Sequence, residues 1–422
     1  MKKMPLVPKG DREAQSESVQ LHKALSERFR RARWILLAVL IVFSSVMLFF
    51  GNQSINYENF LFLLRDLDAE YHADADATGI GVSYDADEGM SARVFGKHLI
   101  VTDSESIHLY GLSGYKVFSY PHNYENPCIA VSDQYFAVYD AGGHTFSVYN
   151  ALGLLHESKA YLQPIVDMDI SSNGICAIVT KTKANRSSVC VLDRDFEIAV
   201  AYNTTRYVTK ARLSSDGDML FTSSVYTNNG IPVTVVQAYE VGEDEQQFKI
   251  EYPRTSSAIS SGSSALPLDV TLIGSSVATI CNTGVLFCDD DGDGDYFYSY
   301  LDNLPSEAGD LFAANCGDGR IALLFRDRAQ DSRCHLRVLD GDGDPLHDEH
   351  ETIVIDDYIS ALAYHRQTLF LLSPSYVYRL SKGGTLKQIK LSSNGDVLTF
   401  AAFDDQTAII SYRDRTVSVS FD

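Results

Sequence analysis

Eight times after residue 106 the chain repeats one short unit, and this repeat constrains the fold more than any other feature. The unit is a run of alternating apolar residues, closed by an aromatic residue or leucine and followed by a turn. It reads IHLY-GLSG from Ile107, FSVY-NALG from Phe146, CVL-DRD from Cys190 and VVQAY-EVG from Val235. It continues as VLF-CDDDG from Val285, LRVL-DGDG from Leu336, VYRL-SKGG from Val377 and VSVSF-D from Val417. The closing residues are Tyr110, Tyr149, Leu192, Tyr239, Phe287, Leu339, Leu380 and Phe421, at intervals of 39, 43, 47, 48, 52, 41 and 41. Such spacings fit a four-stranded antiparallel blade repeated around a ring.

A second repeat supports the first. A turn followed by an apolar run appears as SSNG-ICAIV from Ser171, SSDG-DMLFTS from Ser214 and CGDG-RIALLF from Cys316. Weaker copies are DQ-YFAVY at Asp133, RQT-LFLL at Arg366 and DQT-AIIS at Asp405. Asn-Gly and Asp-Gly supply tight turns, and period-two alternation supplies strands, so these read as hairpins between the first and second strands of a blade. Residues 79–422 are therefore expected to form an all-β, eight-bladed β-propeller. A seven-bladed ring with one repeat misassigned, and a pair of β-sandwiches, are the alternatives. The last copy stops after a third strand, and an unassigned strand, GIGVSYD at residues 79–85, precedes the first blade. Placing that strand in the last blade closes the ring and removes an exposed sheet edge.

Ahead of the repeats the texture differs. Trp34 to Phe50 reads WILLAVLIVFSSVMLFF, without a charge between Arg33 and Glu58. At about 1.5 Å per residue this run approaches the ~30 Å hydrocarbon thickness of a bilayer, so residues 34–51 are expected to be a transmembrane helix. Arg28, Arg30, Arg31 and Arg33 crowd its start, and positive residues stay in the cytoplasm. The expected arrangement is a basic cytoplasmic tail over 1–33, one plasma-membrane anchor, and an extracytoplasmic body. A cleaved signal peptide fits poorly, because its basic region would be 33 residues long and no small-x-small site follows Phe50. Upstream, Leu21, Leu25 and Phe29 recur every four residues, and the anchor helix either continues through them or gives way to a solvated basic stretch. Downstream, residues 52–78 read as a juxtamembrane segment. Tyr57, Phe60, Leu61, Leu64 and Leu67 share one helical face there, before a linker at 69–78.

Charge divides along the same line. Residues 1–33 hold nine basic and four acidic side chains, and the remainder holds 26 basic and 52 acidic. A body this acidic repels polyanions, which excludes nucleic acid as a partner.

The anchor, the stretch NFLFLLRDLDA at residues 59–69 and the SYD…VTDSESIHLYGLSG opening of the first blade together resemble an uncharacterised family of single-pass, membrane-anchored propeller proteins from Gram-positive bacteria. The resemblance covers most of the chain. It implies topology and host class, and it carries no catalytic residue over to this sequence.

Among possible chemistries, the acidic turns come first. Asp289, Asp291 and Asp293 followed by Gly294 match the D-x-D-x-D-G opening of a calcium loop, with Asp295 beside them. The twelfth position, however, is Tyr300 rather than glutamate. A second copy, Asp340, Asp342 and Asp344, has Pro345 in place of the glycine and Glu351 at the twelfth position. Both sit where Asp-Gly is also good turn chemistry. A calcium ion at Asp289, Asp291, Asp293 and Asp295 is the only cofactor expected. The two turns belong to neighbouring blades and are expected to share one acidic patch. That patch faces the membrane unless the linker wraps around the disk.

His347 and His350 are three apart in a strand-rich region and point to opposite faces, so they read as surface residues. Cys176 and Cys190 flank one turn and could face each other, but seven cysteines leave at least one unpaired. No nucleophile elbow, P-loop or HExxH motif is present. The single tryptophan, Trp34, lies in the anchor, which argues against quinone-cofactor propellers. The 24 tyrosines read mainly as core and cross-strand residues, and TSSAISSGSS at 255–264 as a loop between two blades. The expected function is a binding or scaffolding module for an envelope protein or glycan. Two alternatives remain. One is a glycan-active enzyme with its site in the central channel, favoured by charged residues and tyrosine at a channel mouth. The other is a sensor signalling through the juxtamembrane helix.

Overall fold

The computed structural model describes residues 91–421 apart from 112–115, 160, 162, 244–245, 253–264, 290–295, 318, 346–351, 392–394 and 414, together with Arg33, Trp34 and Leu37. Among the described residues no helix is long and apolar enough to cross a membrane. The anchor at 34–51, apart from helical Trp34 and Leu37, lies outside the described residues, as do the amphipathic segment, the linker and the proposed closing strand 79–85. The chain divides between Leu63 and Leu64, and everything described from Ser91 onward belongs to the second unit.

Eight antiparallel sheets follow one another in sequence. Blade 1 is β1 (Ser91–Phe95), β2 (His98–Thr102), β3 (Ser106–Gly111) and β4 (Lys116–Pro121). Blade 2 is β5 (Pro127–Val131), β6 (Phe136–Asp140), β7 (Phe146–Asn150) and β8 (Gly153–Glu157). Blade 3 is β9 (Ile165–Ile170), β10 (Cys176–Thr182), β11 (Arg186–Leu192) and β12 (Ile198–Thr204). Blade 4 is β13 (Tyr207–Leu213), β14 (Met219–Asn228), β15 (Ile231–Glu240) and β16 (Gln246–Tyr252). Blade 5 is β17 (Pro267–Ile273), β18 (Ser276–Cys281), β19 (Gly284–Asp289) and β20 (Tyr296–Ser299), followed by a one-turn helix, α1 (Tyr300–Asn303). Blade 6 is β21 (Ala308–Gly317), β22 (Arg320–Asp327), β23 (Cys334–Asp340) and β24 (Ile353–Ile355). Blade 7 is β25 (Ala361–His365), β26 (Thr368–Leu372), β27 (Tyr376–Leu380) and β28 (Leu386–Lys390). Blade 8 has three described strands, β29 (Val397–Ala402), β30 (Thr407–Tyr412) and β31 (Thr416–Ser420).

The first strands form a closed inner ring. β1 lies against β5, β5 against β9, and so on through β13, β17, β21 and β25 to β29, which returns to β1. The eight repeats therefore make eight blades, and the seven-bladed alternative falls away. All eight copies found in the sequence are third strands, and the SSNG, SSDG and CGDG turns join first strands to second strands, as expected.

Burial follows position in the blade. Second strands such as HLIVT (β2), SVATIC (β18) and TLFLL (β26) are buried at every residue, because each face packs on a neighbouring blade. Outer strands are mostly exposed, as in LKQIK (β28). The core is a set of apolar wedges between blades rather than one centre. One wedge joins Ile280, Phe287 and Tyr298 of blade 5 to Ile321, Leu323 and Phe325 of blade 6. Others join blades 2 and 3, 3 and 4, 4 and 5, 6 and 7, and 7 and 8. Blades 1 and 2 meet through Phe95 and Phe136, edge to face at 5.2 Å.

Because strands alternate in direction, the disk has two distinct faces. First strands begin at the upper face, which also carries the second-to-third-strand turns. The lower face carries the first-to-second and third-to-fourth turns.

Candidate functional site

The first strands line the channel, and at its upper mouth five of them enclose a cavity of about 500 Å³. Its charged wall comprises Arg93 from β1, Asp167 and Asp169 from β9, Lys210 and Arg212 from β13, and Asp269 from β17. Tyr139 and the Pro127–Val131 strand complete it. A second cavity of about 300 Å³ opens on the lower face and shares Asp169 and Arg212 with the first. That pair therefore stands where the two cavities meet.

Asp167 is the hub. It is only 2% exposed. One of its oxygens accepts from Lys210 Nζ at 2.9 Å and Tyr139 OH at 3.5 Å. The other accepts from Arg212 Nη1 at 3.0 Å and the Ala211 amide at 3.3 Å. A buried carboxylate is tolerated when its lone pairs are filled in this way. Arg212 extends the chain of charges, with Nη2 donating to Asp269 at 3.0 Å. Burial alone would weaken the Arg212 charge, but Asp167, Asp269 and Asp169 outweigh it and hold the guanidinium protonated. Tyr139 is pushed above its ordinary range by burial and then by the Asp167 charge, so it stays a neutral donor.

Asp169 differs from Asp167, two residues earlier. It accepts the Leu213 amide at 2.8 Å, and burial pushes its carboxyl up to about 6 against the opposing pull of Arg212. Arg93 differs from the other cations. Its Nη1 reaches only the Ala92 carbonyl at 3.3 Å and Thr399 Oγ1 at 3.4 Å. Among the described residues it forms no salt bridge.

The lower mouth is rimmed by Ser132, Ser171, Ser172, Ser214 and Ser215. Two repeated turns build it. The Ser172 amide donates to Ser215 O at 3.0 Å, and Asn173 donates to the Asp216 carbonyl. Gly217 has φ +78°, and a Cβ there would lie 2.9 Å from Asn173 Oδ1, so the stacked turns require glycine. The hydroxyls of this rim bond largely to one another and to the turns.

Around the upper mouth lies an arc of exposed apolar side chains. Val166, Tyr207, Leu268, Phe312 and Val397 each sit on a first strand, at its start or toward its upper end, with Leu266 just before β17 and Tyr358 just before β25. Arg326 is sandwiched between Phe312 and Tyr358, its guanidinium carbon 3.7 and 3.8 Å from the two ring centroids. The arc runs from blade 3 to blade 8, and Arg93 of blade 1 stands in its gap.

Of the calcium set, Asp289 ends β19 and is exposed, while Asp291, Asp293 and Asp295 lie outside the described residues. Of the second acidic turn, Asp340 to Pro345 are described and Glu351 lies outside the described residues. A Cβ at Gly343 would meet Phe287 and Tyr296, which flank residues 290–295. Asp340 Oδ1 accepts the amides of Asp342 at 3.1 Å and Asp344 at 2.8 Å, so this carboxylate is spent on its own turn. Among the described residues no three His, Cys, Asp or Glu side chains are placed to hold a metal.

Two aspartate–histidine pairs were not singled out in the sequence. Asp103 meets His108 Nε2 at 2.9 Å, and Asp327 meets His335 Nε2 at 3.0 Å. In each the aspartate also caps the amides of its own turn, Glu105 and Ser106 or Ala329 and Gln330. They hold second-to-third-strand turns rather than facing the mouth. All seven cysteines are free. Strand register sets Cys176 opposite Leu192 and Cys190 opposite Ile178, two residues out of register with each other. His347, His350 and the 255–264 loop lie outside the described residues.

Solved structures similar to this chain include a WD40 domain. The WD40 domain of SCAP from fission yeast matches with a TM-score of 0.54 at 9% identity, covering 81% of this chain and 93% of that one. A eukaryotic initiation factor matches with a TM-score of 0.51 at 10% identity, covering 80% and 90%. At such identity the likeness establishes the fold alone. No curated protein matches. Residues 76–255, which run from ahead of blade 1 through the end of blade 4, match the model of the family described as "Family of unknown function (DUF5711)".

Proposed function

We propose that the propeller is a binding module that docks a protein partner on its upper face, carried outside the cell on the N-terminal anchor. The observation that carries this reading is the apolar arc. Exposed single apolar residues are ordinary, but seven gather on one rim of one face, and apolar surface concentrated on one face favours a protein contact there. The arc supplies apolar area and the charged mouth supplies orientation, the usual division between the core and polar elements of an interface. The anchor, its orientation and the envelope location rest on the apolar run 34–50 and the arginines before it.

A glycan-active enzyme is the second reading, favoured by the Asp, Arg and Tyr cluster at the mouth and by the raised Asp169. The hydrogen bonding weighs against it. Asp167 has four donors and Asp269 is paired with Arg212, so no described carboxylate at the mouth is an unencumbered base beside Asp169.

A photo-cross-linking residue at Leu266, on the upper face, and another at Lys382, on the lower face, test the proposal in the native cell. One dominant envelope protein captured from position 266, absent from position 382 and lost in a Leu268→Asp background, is the expected result. Equal capture from both faces, or capture that survives Leu268→Asp, overturns it.

A further inference from the structure

The charges at the upper mouth do not all balance locally. Asp167 is shared between Lys210 and Arg212, and Asp269 takes the second arm of Arg212. Arg93 is exposed to the same cavity, and the hydrogen bonds described for it are two long ones to neutral oxygens. A guanidinium has five donors in a fork shaped for an oxyanion. Lys210 has two ammonium protons beyond the one given to Asp167, and Ser91 and Tyr139 place hydroxyls on the same wall. Arg93 and Lys210 both act electrostatically on the Cys128 thiol of β5, so the two cations approach the mouth from either side of that strand.

We infer that the upper mouth binds a small organic oxyanion, a carboxylate or phosphate ester of about monosaccharide size, with Arg93 as its principal anchor. The cavity of about 500 Å³ lies within the ~300–1,000 Å³ typical of small-ligand sites. The site is independent of the partner reading, because it needs only the mouth and not the apolar arc.

Binding is coupled to a proton. Asp169 shares the cavity, and burial lifts its carboxyl to about 6, so it passes from mostly ionised to mostly neutral as pH falls through 6. The charged groups that act on it are Arg212 of β13 and Asp167 of its own strand, and the Cys176 thiol of β10 beside it is held neutral by burial. An anion held by Arg93 favours the protonated form further, so affinity rises as pH falls through 6. Three cations face three carboxylates at the mouth, and protonating Asp169 leaves the wall net positive.

Titration calorimetry on the full-length protein, with glucuronate, glucose 6-phosphate and neutral glucose as probes, tests this above and below about pH 6. At least one acid is expected to bind and glucose is not. Glucuronate alone assigns a carboxylate, glucose 6-phosphate alone assigns a phosphate, and both assign any oxyanion of this size. Arg93→Ala should weaken binding at least about tenfold, the worth of one charge-assisted hydrogen-bonded pair. Arg93→Lys should recover part of the loss. Glucuronate stays ionised across the range, so if it binds, its tightening at low pH should vanish in Asp169→Asn. Absence of binding by both acids, binding equal to that of glucose, or binding unchanged in a folded Arg93→Ala variant overturns the inference.

Discussion

Arg212 Nη1 of blade 4 lies 3.0 Å from Asp167 Oδ2 of blade 3, and this contact joins two sheets at the channel rather than through the apolar wedge behind them. Asp167 is almost fully buried, so its charge depends on its donors. Removing one partner of such a pair leaves an uncompensated charge and costs about 3–5 kcal/mol. Arg212 is a quarter exposed, and Lys210 and the Ala211 amide remain, which places Arg212→Ala toward about 2–3 kcal/mol. Arg212→Met combined with Asp167→Leu removes both charges, and should recover much of that loss. Urea unfolding of the single and double variants measures both.

Asp169 gives stability a pH dependence with a defined sign. Its carboxyl lies at about 6 when folded, against 3.8 as its ordinary value. Between those values the folded state holds a proton that the unfolded chain has released, so stability falls as pH rises through this window. Above about 7 the loss is complete. Asp169→Asn keeps an acceptor for the Leu213 amide and cannot ionise. The variant should therefore gain on the parent as pH rises from about 4 to 6, reaching an advantage of about 1–3 kcal/mol at neutral pH. Thermal melts across that range would show the two curves meeting at the acid end. Parallel curves would mean that Asp169 titrates in the ordinary carboxylate range.

The acidic turns separate two origins for a carboxylate cluster. Asp340 already accepts two amides of its own turn, and Asp340→Ala should cost about 1 kcal/mol, the same in calcium as in chelator. The preceding loop carries the calcium expectation. A calcium-dependent rise in melting temperature that disappears in Asp291→Ala and Asp293→Ala would assign the ion to that loop. No rise in the parent protein removes it.

The blades were legible in the sequence because a third strand is buried on both faces and ends at a tight turn. Tyr110, Tyr149, Leu192, Tyr239, Phe287, Leu339, Leu380 and Phe421 all mark that place. The mouth was not, since its residues come singly from different blades, with 43 residues between Lys210 and Asp167 and 57 between Arg212 and Asp269. One signal was available. Asp167 and Asp169 precede Ser171 by four and two residues, and Lys210 and Arg212 precede Ser214 by the same steps. Aligning the two serine turns sets D-x-D of one blade against K-x-R of the next, and in the structure Asp167 takes both of those cations. Arg93 follows no such turn, and only closure of the ring brings β1 to the cavity.

The apolar arc makes opposite demands on stability and on binding, and that separates its members. Leu268 is 52% exposed and Tyr207 48%. Neither fills a wedge between blades, so Leu268→Ser and Tyr207→Ser should each change unfolding free energy by no more than about 0.5 kcal/mol. Phe312 is 44% exposed but covers the Arg326 guanidinium, one nitrogen of which is buried without a described partner. Phe312→Ala should cost about 1–2 kcal/mol through the lost cation–π contact and packing. If the face docks a partner, Leu268→Ser and Tyr207→Ser should still abolish capture from position 266 while leaving the melting curve in place. A variant that loses capture only in proportion to lost stability would mean that the arc serves the fold alone.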